Sequence, residues 1–390
     1  MVDSAAFIAA IRSVVGDAPH IGLHVPELTE VDHRIVDECL TSTFVSSVGP
    51  FVTRFEAEIA EYTGAAHAIA VSNGTVALQV ALQLAGVERD DEVLVPALSF
   101  IATANAVSHA GAHPYFLDSD ERTLGLSVPA VEQALSGATR DGDRLINPQT
   151  GRRIAAVVPM HTFGHPVDMA ALLEVAGRYG IPVVEDAAES LGSFIGDRHT
   201  GTFGLLGMLS FNGNKIVTTG GGGIILTDDD ELARHAKHLT TTAKVPHAWS
   251  FDHDEVGYNF RMPNLNAALG VAQLTKLDAY RAAKRVLAQR YAEAFSALPG
   301  VEFLLEPDGT ESNYWLCSVR IDGTRADRDE LLRATNEAGL QSRPFWSLLS
   351  GQLPYLSAPR GDLTTAMALE DTVISIPSSP VLGGWREGRG

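Results

Sequence analysis

Cysteine is scarce in this chain. Only Cys39 and Cys317 occur among 390 residues. They form no CxxC pair, so no disulfide framework is needed, no metal site is read from them, and a reducing compartment fits. Long apolar runs are also missing, and no stretch approaches the roughly 18 residues of a membrane span. The N-terminal MVDSAAFIAAIRSVVGDAPH breaks its apolar pattern with Asp3 and Arg12. It reads as an amphipathic helix start rather than a secretory leader, and a cytoplasmic location is the expectation. Basic residues are outnumbered, 29 against 48 acidic, for a formal charge of -19. Such a field repels nucleic acid, and any anionic small molecule would need a local basic pocket. Two phosphate fingerprints are absent too. GxxxxGK[ST] fails at Gly213-Asn214-Lys215-Ile216, and no GxGxxG stands in the early strand–helix turns.

What remains is an ordinary globular composition, 45% hydrophobic and 20% charged, long enough for two or three domains. Residues 65–226 alternate short β-branched runs with helical patterns. AIAV (68–71), EVLVPA (92–97), HPYFLD (113–118), IAAVVPM (154–160) and IPVVEDA (181–187) read as strands. TVALQVALQLAG (75–86) and DMAALLEVAGRYG (168–180) read as helices between them. This alternation predicts βαβ units and a largely parallel sheet. The polar stretch 136–153 reads as a surface excursion. After Gly257 a long Ala/Leu-rich helix is expected over 262–298, then a strand over 313–321 and a helix over 328–340. The division expected is therefore a large unit, residues 1–257, and a smaller α+β unit, residues 258–390.

Four segments carry chemistry. SFNGNKIVTTGGGG (210–223) holds a single cation, Lys215, before four glycines. Once a nucleotide loop is set aside, Lys215 is either a Schiff-base lysine or an ordinary solvated one. VVEDAAES (183–190) ends an apolar run at Asp186. A carboxylate beyond the carboxyl end of a parallel strand either pairs with a pyridinium nitrogen or caps the next helix. In VSNGTVALQVAL (71–82), Gly74 permits close backbone approach and Thr75 opens a helix whose free N–H groups suit a phosphate. PALSFIATANA (96–106) puts Phe100 past a strand end, where it either stacks on a planar group or fills the core. Together the four would make a pyridoxal phosphate site, and one shared cause is simpler than four coincidences.

These segments, with GYNFRMPNLNAALGVAQL from 257, resemble the DegT/DnrJ/EryC1/StrS sugar aminotransferases, and the likeness runs from residue 23 to residue 380. The resemblance implies the type I fold of pyridoxal phosphate-dependent transferases: a central, mostly parallel sheet flanked by helices, plus a small C-terminal domain. It implies that Lys215 bonds the cofactor and Asp186 pairs with the ring nitrogen. Gly74, Thr75 and Ser210 would hold the phosphate, Phe100 would stack on the ring, and Glu189 would lie near the ring hydroxyl. Asn259 would reach the phosphate from the partner subunit of a homodimer. L-Glutamate would be the donor and a nucleotide-linked 4-keto-6-deoxyhexose the acceptor, giving a 4-amino sugar. The stretch FVSSVGPFVTRFE (44–56) most resembles the branch acting on UDP-linked N-acetylated sugars, and Arg343, in SRPFWSLL (342–349), becomes a candidate substrate contact. A 3-dehydratase of the same family is the nearest rival, but such enzymes carry histidine in place of the lysine. A non-catalytic cofactor-binding regulator and a nicotinamide dehydrogenase are the others. The former lacks any visible DNA-binding appendage, the latter its glycine fingerprint. Relatives usually continue past PSS into a closing helix, whereas VLGGWREGRG (381–390) is Gly-rich and short, so a lost or replaced C-terminal cap is expected.

Overall fold

Five strands of β-branched and apolar residues set the frame, and two more extend it. They are β1 (His67–Val71), β2 (Glu92–Pro96), β3 (His113–Leu117), β4 (Ile154–Val157), β5 (Val184–Asp186), β6 (Leu206–Ser210) and β7 (Gly223–Thr227) in the computed structural model, which describes residues 2–387. β2 pairs parallel with both β3 and β4, and β5 pairs parallel with β6. Parallel bridges Val157–Val183 and Met160–Asp186 join the two groups. β7 runs antiparallel to both β6 and β1. The order is thus β3-β2-β4-β5-β6-β7-β1, with β7 alone reversed. β1 therefore points the same way as β6, and the carboxyl ends of β1, β2, β5 and β6 open on one edge. Strands buried along nearly their whole length need cover on both faces, and the connecting helices supply it. Gly74–Leu84, Ile101–His109 and Met169–Tyr179 are among them.

The sequence expectations fare unequally outside this sheet. The excursion at 136–153 contains a small hairpin, Thr139–Asp141 with Arg144–Ile146. The single helix expected over 262–298 is two, Asn264–Leu274 and Leu277–Ser296. No proline or glycine causes the break. Gln273 donates to the Glu27 carbonyl and to Asp32, both at 2.9 Å, while Lys276 turns its amine onto Asp32 and, at 3.2 Å, the same carbonyl. The first helix then packs on Glu30–Ser42 and Pro50–Thr63, and the second serves a separate core. The strand expected over 313–321 is shortened to Cys317–Ile321, because Tyr314 takes φ 46° and the chain ahead of it is bent toward the large sheet.

A second sheet, β8 (Val301–Phe303), β9 (Cys317–Ile321), β10 (Arg343–Pro344) and β11 (Val373–Ile376), is antiparallel throughout in the order β8-β9-β11-β10. Its core takes Phe7 and Ile11 from the N-terminal helix Ser4–Val15, with Phe7 5.4 Å from Phe295. A 3-10 turn, Pro380–Gly383, lies against Leu277–Ser296 so closely that a Cβ on Gly383 would strike the Ala283 carbonyl. Trp385 then stacks edge-on to Tyr280 at 5.0 Å. The last three positions of the expected tail, 388–390, lie outside the described residues. No helix among the described residues is long and apolar enough to cross a membrane.

Phe55 ties the N-terminal helices to the lysine loop. It is fully buried, meets Phe211 edge-on at 5.0 Å, and occupies the space left by Gly270. Phe55→Ala is expected to cost about 3–5 kcal/mol through lost burial and an uncollapsed cavity. Denaturant midpoints of the two proteins measure this, and a loss below about 1 kcal/mol would show that the helices close over the gap.

Candidate active site

Strand β6 ends at Ser210 and hands the chain to a loop that carries Lys215. The Phe211 N–H donates to the Gly222 carbonyl at 2.9 Å and the Thr219 N–H to the Phe211 carbonyl at 3.0 Å, which closes the loop at its base. Within it the Lys215 N–H donates to the Asn212 carbonyl at 3.0 Å. The side chain leaves solvent: Nζ lies 3.1 Å from Glu189 Oε1 and 3.9 Å from the centre of the Trp315 ring. Trp315 is held there by its own Nε1–H, which donates to the Asn214 carbonyl at 2.7 Å. So the amine meets one carboxylate and one aromatic face, both attractive to a cation.

Glu189 is held as firmly. Its Oε2 accepts the Phe163 N–H at 2.9 Å, and Phe163 adopts φ 56°, a left-handed conformation uncommon for so large a residue. Gly164 follows at φ 98°, and a Cβ there would lie 2.0 Å from Asn313 Oδ1. The Asn313 amide in turn donates to the Glu189 and Leu191 carbonyls, each at 2.9 Å. Burial pushes the Glu189 carboxyl up to about 7, against the pull of Lys215 and the Phe163 N–H.

Asp186 stands at the end of β5, buried, with Oδ2 accepting the Thr103 hydroxyl at 2.8 Å and Oδ1 the Ala188 N–H at 3.2 Å. Burial raises its pKa; Thr103, Ala188 and the nearby charge of Lys215 oppose that. Each oxygen keeps acceptor capacity for a further donor. The neighbouring Glu185 points to the other face, where it accepts His161 Nε2–H at 2.9 Å and the N–H groups of Gly201 and Gly204 at 2.8 and 2.6 Å. His161 Nδ1 accepts the Val167 N–H at 3.1 Å, which fixes the proton on Nε2. That bonded floor anchors the strand that presents Asp186.

Across the sheet edge, Asn73 caps the helix Gly74–Leu84 by accepting the Val76 N–H at 3.0 Å. A Cβ on Gly74 would lie 2.9 Å from Ser210 Cβ and 3.2 Å from its Oγ. The bare helix start with Thr75 and the Ser210 hydroxyl therefore form one concavity. The glycine run has a distinct cause: a Cβ on Gly223 would strike the Asn73 carbonyl at 2.5 Å and the Gly74 nitrogen at 2.8 Å. β7 needs a glycine there to pack against the helix-opening loop, while Gly220 turns at φ 76°.

Phe100, half exposed, lies past β2 and faces Trp346 at 6.2 Å; Phe163 continues that aromatic wall, 5.1 Å from Trp346 and 6.3 Å from Trp315. Arg343, on β10, lines a cavity of about 490 Å³ with His24, Asn214, Trp315 and Trp346. It also donates to the Ser342 carbonyl at 2.8 Å. Asn259 sits apart from the lysine contacts, exposed, pairing with Thr241 and accepting from Arg261 Nη2 at 3.1 Å. Sequence reasoning missed Trp315, which stood inside an apparent strand, and Thr103, one hydroxyl in an Ala-rich helix. For Thr103 a signal existed, since it lies three residues after Phe100, in the first turn of that helix.

Residues 26–385 match the DegT/DnrJ/EryC1/StrS aminotransferase family. The GDP-perosamine synthase of Caulobacter vibrioides is 35% identical over 368 residues, covering 93% of this chain and 94% of that protein. EpsN of Bacillus subtilis, named provisionally a pyridoxal phosphate-dependent aminotransferase, is 36% identical over 332 residues, 85% of this chain and 83% of that one. The crystal structure of the aminotransferase TlmJ from Streptoalloteichus hindustanus superposes with a TM-score of 0.83 at 30% identity, over 92% of this chain and 93% of that chain.

A carboxyl whose folded pKa is raised holds its proton more tightly folded than unfolded. The contribution of Glu189 to stability is therefore full below about 4.5 and lost as pH rises through about 7. In protein stripped of cofactor, the stability of the parent relative to Glu189→Gln should fall between about pH 5 and about pH 8. Denaturant midpoints across that range test it, and a flat difference would mean that Lys215 keeps the carboxylate ionised throughout.

Proposed function

The chain belongs to the DegT/DnrJ/EryC1/StrS aminotransferase family, and we propose that it transfers an amino group from L-glutamate to the C4 ketone of a nucleotide-linked 4-keto-6-deoxyhexose. It is a transaminase dependent on pyridoxal phosphate. The observation that carries the reading is the cluster itself: a nearly buried lysine amine held by Glu189 and Trp315, with the buried carboxyl of Asp186 on β5, the strand paired with the one that leads to the lysine loop.

The residues fit the cofactor. The concavity between Gly74 and Ser210 would be filled by any Cβ on Gly74, and it is bounded by free helix N–H groups that suit a phosphate. Asp186 has lone pairs to spare for a protonated ring nitrogen. Gly74, Thr75 and Ser210 would hold the phosphate, and Phe100 would cover the ring. Asn259 of the partner subunit would complete the phosphate site in a homodimer. Bound pyridoxal phosphate supplies a carbonyl carbon that joins amines and a ring that withdraws electrons from the bond being broken.

Each protein group has a task there. Lys215 Nζ would bond the cofactor at rest and would give way to the amino donor. Freed, it would take up the proton lost from the donor's α-carbon, and in the second half it would deliver one to the sugar carbon. Glu189 Oε1 and the Trp315 face keep that amine within the site while it moves. Asp186 would keep the ring nitrogen protonated, and the Thr103 hydroxyl orients its carboxylate. The cavity bordered by Arg343 and His24 is where the acceptor's nucleotide or sugar would lie.

The stretch at 44–56 favours a UDP-linked, N-acetylated acceptor. Similarity to a GDP-perosamine synthase favours a second reading, a GDP-linked one. The visible spectrum of purified protein before and after L-glutamate tests the first half-reaction, and UDP- and GDP-linked 4-keto sugars offered to the aminated form test the second. The protein should be yellow and bleach with glutamate. Lys215→Ala should lose turnover by at least about a thousandfold. Full activity in that variant, or an unchanged spectrum with glutamate, would overturn the reading.

A further inference from the structure

Outside the lysine site, a second group of side chains has ligand chemistry of its own. Helix Asp230–Thr240 places His235 and His238 one turn apart, and the loop that follows returns Asp254 and Glu255 to the same spot. The return is fixed by backbone: Lys244 bridges His253, Val245 N–H donates to Asp252 at 2.9 Å, and Tyr258 N–H donates to the Leu239 carbonyl at 2.6 Å.

The donor atoms converge. His238 Nε2 lies 2.6 Å from Asp254 Oδ1 and 3.7 Å from Glu255 Oε1, while His235 Nε2 lies 3.0 Å from that same Glu255 oxygen. The ligand atoms of His238, Asp254 and Glu255 all fall within 4.8 Å of one another. A tetrahedral ion with bonds of about 2.0–2.2 Å needs ligand atoms roughly 3.3–3.5 Å apart, so small rotations suffice for His238, Asp254 and Glu255, whereas His235, outside that group of three, must swing from Glu255 toward it. Two imidazoles and two carboxylates suit zinc and its divalent neighbours, not a hard ion that prefers oxygen alone. The adjacent carboxylates repel each other, and a dication relieves that repulsion where a hydrogen bond to one imidazole does so only in part.

We propose that His235, His238, Asp254 and Glu255 form a site for one divalent transition-metal ion, which clamps the 241–257 loop to the helix before it. The loop has reason to be clamped. It carries Trp249, Phe251 and Val256, which are 81%, 75% and 89% exposed, and it leads directly into Asn259. Those three side chains bury little within one protomer, and a metal would add order to the loop there.

The test is calorimetric titration of chelator-treated, otherwise intact protein with zinc chloride, alongside His238→Ala and Glu255→Gln. The parent should take up about one equivalent, and each variant should bind more than about tenfold more weakly. Amide hydrogen exchange in the 241–257 loop should slow on adding zinc in the parent alone. Equal binding by parent and both variants, or no binding by the parent, would overturn the site. Binding without slower exchange would overturn the clamp. The two variants are independent and lie at the surface, so misfolding of one leaves the other to decide.

Discussion

Everything in the candidate active site is arranged around the contact between Lys215 and Glu189. A buried ion pair is poor evidence of stability, because the cost of taking both charges out of water can exceed their attraction. Its value here is positional. Glu189 is fixed by the Phe163 N–H and, through its carbonyl, by Asn313. Trp315 is fixed by the lysine loop it shields. An amine on four rotatable carbons is thereby confined to one small region without being covalently bound, which suits a group that must leave its resting position and come back.

That confinement spans both parts of the chain. Phe163, Asp186, Glu189 and Lys215 follow strands of the large sheet, whereas Asn313 and Trp315 lead into β9 of the small one. The left-handed backbone of Phe163 and Tyr314 is the local cost of this junction, and the glycine at 164 is its steric condition. Backbone strain persists only where the surroundings over-determine it. Hydrogen bonds from Asn313 to two carbonyls of the segment that follows β5 provide that determination. The small sheet therefore does more than close the fold, because the segment leading into β9 builds one wall of the site.

Much of this was legible in the sequence. The five predicted strands and both helices between them lie where alternating β-branched and 3.6-period patterns put them, since those patterns record which faces are buried. Asp186 was legible because parallel strands end on one edge, and residues at strand ends meet there; Gly74 and Lys215 stood out by their local patterns, and Ser210 came from the family resemblance alone. The single long helix was not a sound reading. Helical periodicity continues through Thr275 and Lys276, and only Asp32, some 240 residues upstream, shows why the helix must break. Trp315 was invisible as a site residue for the same kind of reason. An aromatic beside a strand looks like core until the partner that approaches its face is known.

The sequence by itself determined most of the elements and the inventory of reactive groups, because local sterics and burial periodicity act within a few residues. Tertiary structure alone decided the pairings. That Thr103 orients Asp186, that Gly223 exists to admit Asn73, and that the N-terminal helix completes the core of the C-terminal sheet are contacts across large sequence separations. Their energies depend on distance and burial, quantities that the order of residues leaves open until the chain has closed on itself.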